Sequence, residues 1–554
     1  MWYFGNIPFE DNNKKSYKQH QYNQKNHDNQ FENDTVFFES NECIIILDGV
    51  IFNIAQLCKT YNTSTWTECI LELVKKTDFP DMLRGSFSGM YFDKESEKLT
   101  AFTDHSGERQ VFYWHFGNKC FISTDFSVFK SIGIKYQLNL DAMEYILSYG
   151  FMIDDSTLYC DVKRIMPGEK ILFENESVVT KAYHRYTNTH KIHESDDEAM
   201  AKIDALFRHA LKLEFDKDLE YGLRPIVDLS GGLDCRVVNY VAKSMGYQNV
   251  LNISYSQEAS NEYRAMMELN KDLGTELLYY PLDSAEFVYD AEKIVRMNYG
   301  LCIYSTSTGL SKILNYLNRN EFGIEHGGLM GDMRDGAFPG SDYYKDVPAK
   351  VSNGMRFSKI VDLSDRDFTE IESRYENQEM FDVYTRGFLG GLSTQMIRRQ
   401  FGEYFSPFMD PDFYDYFLSL PLDQRVNRRI LQKWVEKYYP EALRVVDDKD
   451  MCRINANPMW KKCCHFYGKI RNRANNFAMK HNILFRQTNM NPFDYWYQTN
   501  KAVKKYIDDY YKENSLLLEQ YPKIFASAEK VMNQGTAREK TMVVSLLASI
   551  KEFG

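Results

Sequence analysis

The chain has no apolar run of 18 residues, and its opening residues lack the charged-then-apolar pattern of a leader. A membrane-spanning helix takes about 20 such residues, so the reading is of a cytoplasmic protein with no membrane partner. It also has no Cys-x-x-Cys pair. Its ten cysteines fall at irregular spacings, and Cys463 and Cys464 are adjacent, a poor geometry for gripping one metal. Reduced, mostly structural thiols are expected. Positive charge is in deficit: 67 Lys and Arg stand against 78 Asp and Glu, a formal net charge of −11, which argues against nucleic acid as a general partner. Aromatics are plentiful instead, with 39 Tyr and 37 Phe, so the chain is not disordered. At 554 residues it is too long for one core, and two or three domains are expected.

The stretch from Arg224 to Arg236 organises the rest. Ile226 to Leu229 is an apolar run that reads as a buried parallel strand, and it stops at Ser230-Gly231-Gly232. From Leu233 onward apolar residues recur at helical spacing, so a helix starts directly after the glycines. Such a turn suits an anion: glycine lets the backbone approach closely, free amides point at the ligand, and the helix dipole adds positive potential. Asp234, in the first turn, repels a bare phosphate but fits if a divalent cation such as Mg2+ lies between. The competing reading is an ordinary strand-to-helix turn with an acidic first turn.

Ser230-Gly-Gly-Leu-Asp-Cys-Arg236 resembles the pyrophosphate-binding loop of the ATP pyrophosphatase superfamily, usually SGGxDS. Over roughly residues 1–450 the chain resembles the asparagine synthetase family within it, including the β-lactam synthetases and lasso-peptide cyclases. The resemblance implies an α+β and α/β chain in four parts. Residues 1–135 are an amidotransferase-like (Ntn-type) β-sandwich domain and 136–195 a connector. Residues 196–450 are a parallel-sheet α/β ATP-binding domain, and 451–554 a helical extension.

The N-terminal part supports this in outline and departs from it in chemistry. Residues 11–34 are rich in Asn, Gln, Lys and His and read as a mobile loop or an exposed hairpin tip. Short β-like runs follow at Thr35–Glu39, Cys43–Leu47, Phe87–Phe92, Leu99–Thr103, Val111–His115 and Cys120–Thr124. Segments 47–53, 83–93 and 103–113 resemble three ordered motifs of the family's glutamine amidotransferase domain. Glutaminase chemistry there uses an N-terminal cysteine whose amine activates its thiolate. Here Met1-Trp2 occupy that end, the family's oxyanion Asn falls on Asp48, and its following Glu falls on Val50. A carboxylate opposes the anion that forms at such a position. The domain is read as a scaffold without glutaminase activity.

The second half alternates strands and helices: Val250–Tyr255, a helix opened by Ser260, Glu276–Tyr280, and a helix over 305–319. Ligands of such sheets sit at the carboxyl ends of the strands. By resemblance, Leu229, Ser230, Gly231, Gly232, Asp234, Cys235, Ile253, Gly327 and Gly328 contact ATP or pyrophosphate. Phe322 to Asp332 resembles the family's SGEGxDELFGG segment, so Asp234 and Asp332 are the metal ligands for Mg2+. Asp332 as a simple loop cap is the alternative. The family's catalytic Glu falls on Leu329. Lys449, in Asp447-Asp-Lys-Asp-Met451, is the candidate for the family's catalytic lysine, although a surface lysine among acids reads equally plainly. Arg236 adds charge where the family has Ser. Residues 403–421 resemble the RxPFLD segment and its core helix. Lys461–Lys480 carries six Lys and Arg and no acid, either a basic docking helix or a solvated face.

The reading is an ATP- and Mg2+-dependent ligase. It adenylates a small-molecule or peptide carboxylate and passes it to ammonia or an amine, and the resemblance allows a homodimer. The alternatives are asparagine synthesis proper and a scaffold that has lost turnover.

Overall fold

The computed structural model describes residues 1–7, 14–18, 20–24, 30–133, 136–174, 176–306, 309–334, 347–447, 452–480 and 487–554. Lys449 lies outside the described residues.

Two six-stranded antiparallel sheets make the N-terminal region. The nine-residue strands Cys43–Ile51 and Gly85–Asp93 pair along their whole length at the centre of one sheet. Strand Trp2–Gly5 lies inside the other, between Lys119–Ser123 and His20–Gln24. Period-two alternation sorts their side chains. Trp2, Phe4, Ile44, Ile46, Met90 and Ile122 meet between the sheets, while Ile45 and Leu47 face helices Ile54–Tyr61 and Trp66–Leu73. All six runs named from the sequence are strands. The polar stretch 11–34 contributes the hairpin Lys15–Tyr17/His20–Gln24.

The sheets do not end at residue 135. Val162–Arg164 adds an edge strand to one sheet by pairing with Phe112–Phe116, and the hairpin Glu169–Glu174/Ser177–Ala182 extends the other. Long-range pairing of this kind leaves no local signal, so a boundary drawn on composition falls short of it.

The second half is built on a five-stranded parallel sheet in the order Glu276–Pro281, Leu251–Ser256, Arg224–Asp228, Phe322–His326, Tyr404–Phe405. Growth of this sheet reverses direction at Arg224–Asp228, which places a crevice between its carboxyl end and that of Phe322–His326. One face is covered by Asp196–Glu220, Leu233–Ser244, Asn261–Leu273, Pro411–Ser419 and Arg429–Tyr438. Phe408, Phe413 and Phe417 are fully buried there, each contributing about 1.5–3 kcal/mol. Within the helix expected over 305–319, the described residues form the short pieces Tyr304–Thr306, Leu310–Ile313 and Leu314–Tyr316.

The C-terminal helices are part of the core. Ala537–Phe553 is buried on nearly every side, with Thr541 donating to Ser305 Oγ at 2.6 Å and the Tyr304 amide donating to Ser545 Oγ at 3.1 Å. Among the described residues no helix is long and apolar enough to cross a membrane.

Candidate active site

The strand Arg224–Asp228 ends at Leu229, whose amide donates to the Ile253 carbonyl at 2.9 Å. Ser230, Gly231 and Gly232 then cross the carboxyl edge of the sheet. Helix Leu233–Ser244 begins with Gly232 at its N-cap and no capping side chain, so its first amides have no side-chain cap. The Gly231 amide donates to Glu262 Oε1 at 2.7 Å, from the first turn of Asn261–Leu273. Ser260 caps that helix as expected, accepting the Tyr263 amide.

Arg236 faces away from the crevice. Its guanidinium is fully buried and donates to the carbonyls of Gly231, Ala442, Val445 and Val446. The sequence suggested added charge at the phosphates; the side chain instead clamps the loop to segment 442–446. Cys235 is a neutral thiol, pushed up to about 12 by burial. Ile253 is buried inside its strand, and its carbonyl is taken by Leu229.

Asp234 does face the crevice. Its Oδ1 is buried without a hydrogen-bond partner, and its Oδ2 lies 3.5 Å from Arg428 Nη2. The loop after Phe322–His326 packs directly on it. A Cβ at Gly328 would press on Asp234 and Cys235, and one at Gly331 would collide with the Asp234 carboxylate. Glycine is required at both places by close approach. Gly331 starts the short helix Gly331–Arg334, so Asp332 arrives beside Asp234 from the neighbouring strand. Gly327 is held lower, its amide donating to the Phe405 carbonyl and its α-carbon against the Tyr404 ring. The donor set fits Mg2+: two carboxylates on adjoining loops, one with an orphaned oxygen, no thiol or imidazole.

Four residues around this crevice escaped the sequence reading. Arg428 and its neighbour Asn427 are both left-handed, with φ of 61° and 55°, a strained pair at the Asp234 carboxylate. Arg398 forms a fork on Asp228 at 3.3 Å and also pairs with Glu325. Glu262 was hidden because an acid in a first helical turn is commonplace.

The crevice floor is set by a buried triad. His326 is fully buried, with Nδ1 at 2.9 Å from Glu214 and Nε2 at 2.8 Å from Asp218. The two carboxylates hold its pKa up to about 9 against burial.

A glutamine amidotransferase domain family matches residues 30–184. Asparagine synthetase [glutamine-hydrolyzing] 1 of Bacillus subtilis is 21% identical over 268 residues, 47% of this chain and 42% of that protein. A Methanocaldococcus jannaschii protein named as a second glutamine-hydrolysing asparagine synthetase is 26% identical over 209 residues, 36% of this chain and 39% of that one. This chain is similar to asparagine synthetases. The matches span about two fifths of the length of these curated relatives. A solved glutamine phosphoribosylpyrophosphate amidotransferase from B. subtilis aligns at 12% identity over 47% of this chain and 66% of that chain. Its TM-score is 0.22, too low to carry an argument.

The region that matches the amidotransferase domain has a cavity of about 520 Å³ where it meets the second half of the chain. Met1, Asp48, Ser88, Glu108, Arg109 and Glu403 are among its lining residues, and no cysteine is among the described residues that line it. Trp2 is fully buried, its indole donating to Ser88 Oγ at 3.1 Å. Arg109 bridges Asp48 at 3.8 Å and Glu403 at 2.7 Å, while Arg399 pairs with Glu108 at 2.6 Å. Burial pushes the Glu108 carboxyl up to about 8. Arg109–Glu403 and Arg399–Glu108 join the two halves of the chain at this cavity.

Proposed function

We propose that this protein is an ATP- and Mg2+-dependent ligase that joins a carboxylate to ammonia or an amine, with no glutaminase of its own. The observation that carries the reading is Asp234. Its orphaned oxygen faces the glycine-built approach of Asp332, at the mouth of a Ser-Gly-Gly loop that opens an uncapped helix. When bound, Mg2+ supplies neutralisation of phosphate charge. Asp234 and Asp332 hold the cation, Ser230 to Gly232 orient the pyrophosphate end of ATP, and Arg236 fixes the loop's height. The substrate carboxylate attacks the α-phosphorus, pyrophosphate leaves, and the amine then displaces AMP from the acyl carbon. Leu329 at the family's catalytic carboxylate position favours an amine that needs no carboxylate there. For the missing glutaminase, support comes from buried Trp2 and from Asp48 paired with Arg109.

The names of the relatives favour a second reading, synthesis of asparagine from aspartate and free ammonia. Incubation with ATP, Mg2+, aspartate and either ammonium or glutamine, followed by phosphorus NMR and amino-acid analysis, separates the two. Asparagine with AMP and pyrophosphate from ammonium establishes the second reading. Tight Mg·ATP binding without aspartate turnover supports the first. No nucleotide binding sinks both.

A further inference from the structure

Away from the crevice, two imidazoles and a carboxylate from three separate segments meet at one point. Asp81 lies in the loop between Trp66–Leu73 and Gly85–Asp93, His105 in the turn after Lys98–Thr103, and His184 just beyond Ser177–Ala182. Asp81 Oδ1 is 3.1 Å from His105 Nε2 and 3.1 Å from His184 Nδ1. One ligand atom from each residue falls within 4.8 Å of the other two. Ligand atoms around a tetrahedral Zn2+ lie about 3.3 Å from one another, so the spacing already suits an ion. The Asp81 carbonyl, also 3.1 Å from His105 Nε2, is a further oxygen beside it.

The backbone builds this meeting. The Asp104 carboxylate accepts the amides of Ser106, Glu108 and Arg109, fixing the turn that carries His105. The Gly168 amide donates to the Asp104 carbonyl, and the Gly168 carbonyl accepts the amides of Tyr183 and His184 at 2.9 and 3.1 Å. Gly168 has a φ of 68°, and a Cβ there would collide with the His184 carbonyl, so glycine is required. One residue thus ties the His105 turn to His184.

Protonation and outer contacts suit a metal as well. His105 is buried, and burial keeps its imidazole below the ordinary range, in the neutral form that ligates metals. His184 turns its outer nitrogen, Nε2, to Asp415 Oδ2 at 3.3 Å. A carboxylate behind a metal-bound imidazole fixes the ring and its tautomer. Asp415 stands on helix Pro411–Ser419 of the second half, whereas the three ligands belong to the N-terminal sheets and their loops. Against burial, Asp415 and Asp81 hold His184 up to about 9 when no ion is bound. An ion at Nδ1 sends that proton to solvent and leaves Nε2–H toward Asp415. Arg84, a cation beside the group, is turned to Asp412 at 2.9 Å. Asp81 is partly exposed, which gives an ion a way in and water a place as fourth ligand.

We infer that Asp81, His105 and His184 bind one divalent transition ion of the zinc class, with Asp415 positioning His184, and that this ion fastens the N-terminal sheets to the second half. Imidazole ligands select such ions over Mg2+, which takes oxygen. The site is separate from Asp234 and Asp332 and stands apart from the ligase reading.

The test uses the untagged full chain after treatment with a chelator. Calorimetry with ZnCl2 should show one tight site per chain, and excess MgCl2 should not displace the ion. X-ray absorption of the zinc-loaded protein should find nitrogen and oxygen neighbours and no sulfur. His105→Gln and His184→Gln should each weaken Zn2+ at least about a hundredfold, and Asp415→Asn about tenfold. Zn2+ should raise the melting temperature of the wild type and not that of His105→Gln, with circular dichroism confirming that each variant is folded. No tight Zn2+ site in the wild type, or sulfur among its neighbours, overturns the inference without recourse to any variant. Zn2+ affinity that survives both histidine substitutions overturns it too. Full affinity in Asp415→Asn overturns the positioning role, and an unchanged wild-type melting temperature overturns the fastening.

Discussion

The Glu262 carboxylate accepts the amide of Gly231 at 2.7 Å, so one donor of the Ser-Gly-Gly loop is already engaged with a negative charge. Under the ligase reading this carboxylate competes with phosphate for the same N–H. Glu262→Gln removes the charge but keeps an acceptor. A charge-assisted bond exceeds a neutral one by about 1 kcal/mol, so Mg·ATP affinity should rise about fivefold. Isothermal titration of the two proteins checks this, and an unchanged or weaker affinity would count against competition.

Asp234 gives the opposite result. One of its oxygens has no hydrogen-bond partner, and its contact with Arg428 is long. Asp234→Asn should therefore leave the melting temperature level or slightly raised, while Mg2+-dependent ATP binding falls at least tenfold. A variant that melts early instead would make Asp234 a structural residue.

The triad under the crevice sets a pH dependence. The folded pKa of His326, about 9, lies above the ordinary value of 6.5. Its contribution to stability is therefore complete below about pH 6.5 and is lost as pH rises through about 9. His184, raised to about 9 between Asp81 and Asp415, adds in the same direction. Denaturant midpoints should fall between pH 6.5 and 9. His326→Gln should be less stable, and more so at higher pH, because burial already raises Glu214 to about 7 and raises Asp218, and the imidazole that opposes this is gone.

The amidotransferase-like cavity yields a prediction about glutamine. With Trp2 buried and Asp48 held by Arg109, incubation with glutamine should release no glutamate above the blank in an enzymatic glutamate assay. Replacing Asp48 by Asn alone should not restore release, since no thiol is among the described residues that line the cavity. Glutamate production by the wild type would refute the reading.

What the sequence alone determined is local. Strand runs such as Cys43–Leu47 and Val250–Tyr255 carry their own alternation or apolarity, and Ser230 to Gly232 mark the turn from strand to helix. The tertiary structure decided what depends on residues far apart. Val162–Arg164 and the hairpin 169–182 belong to the N-terminal sheets only because partners more than 45 residues away pair with them. Arg236, beside the loop in sequence, is drawn off by carbonyls more than 200 residues later. Arg538, in a tail without a family counterpart, is brought to the Phe357 ring that also holds Arg386. Periodicity records which face of an element is apolar. It does not record which distant charge or carbonyl meets a given guanidinium, and only packing settles that.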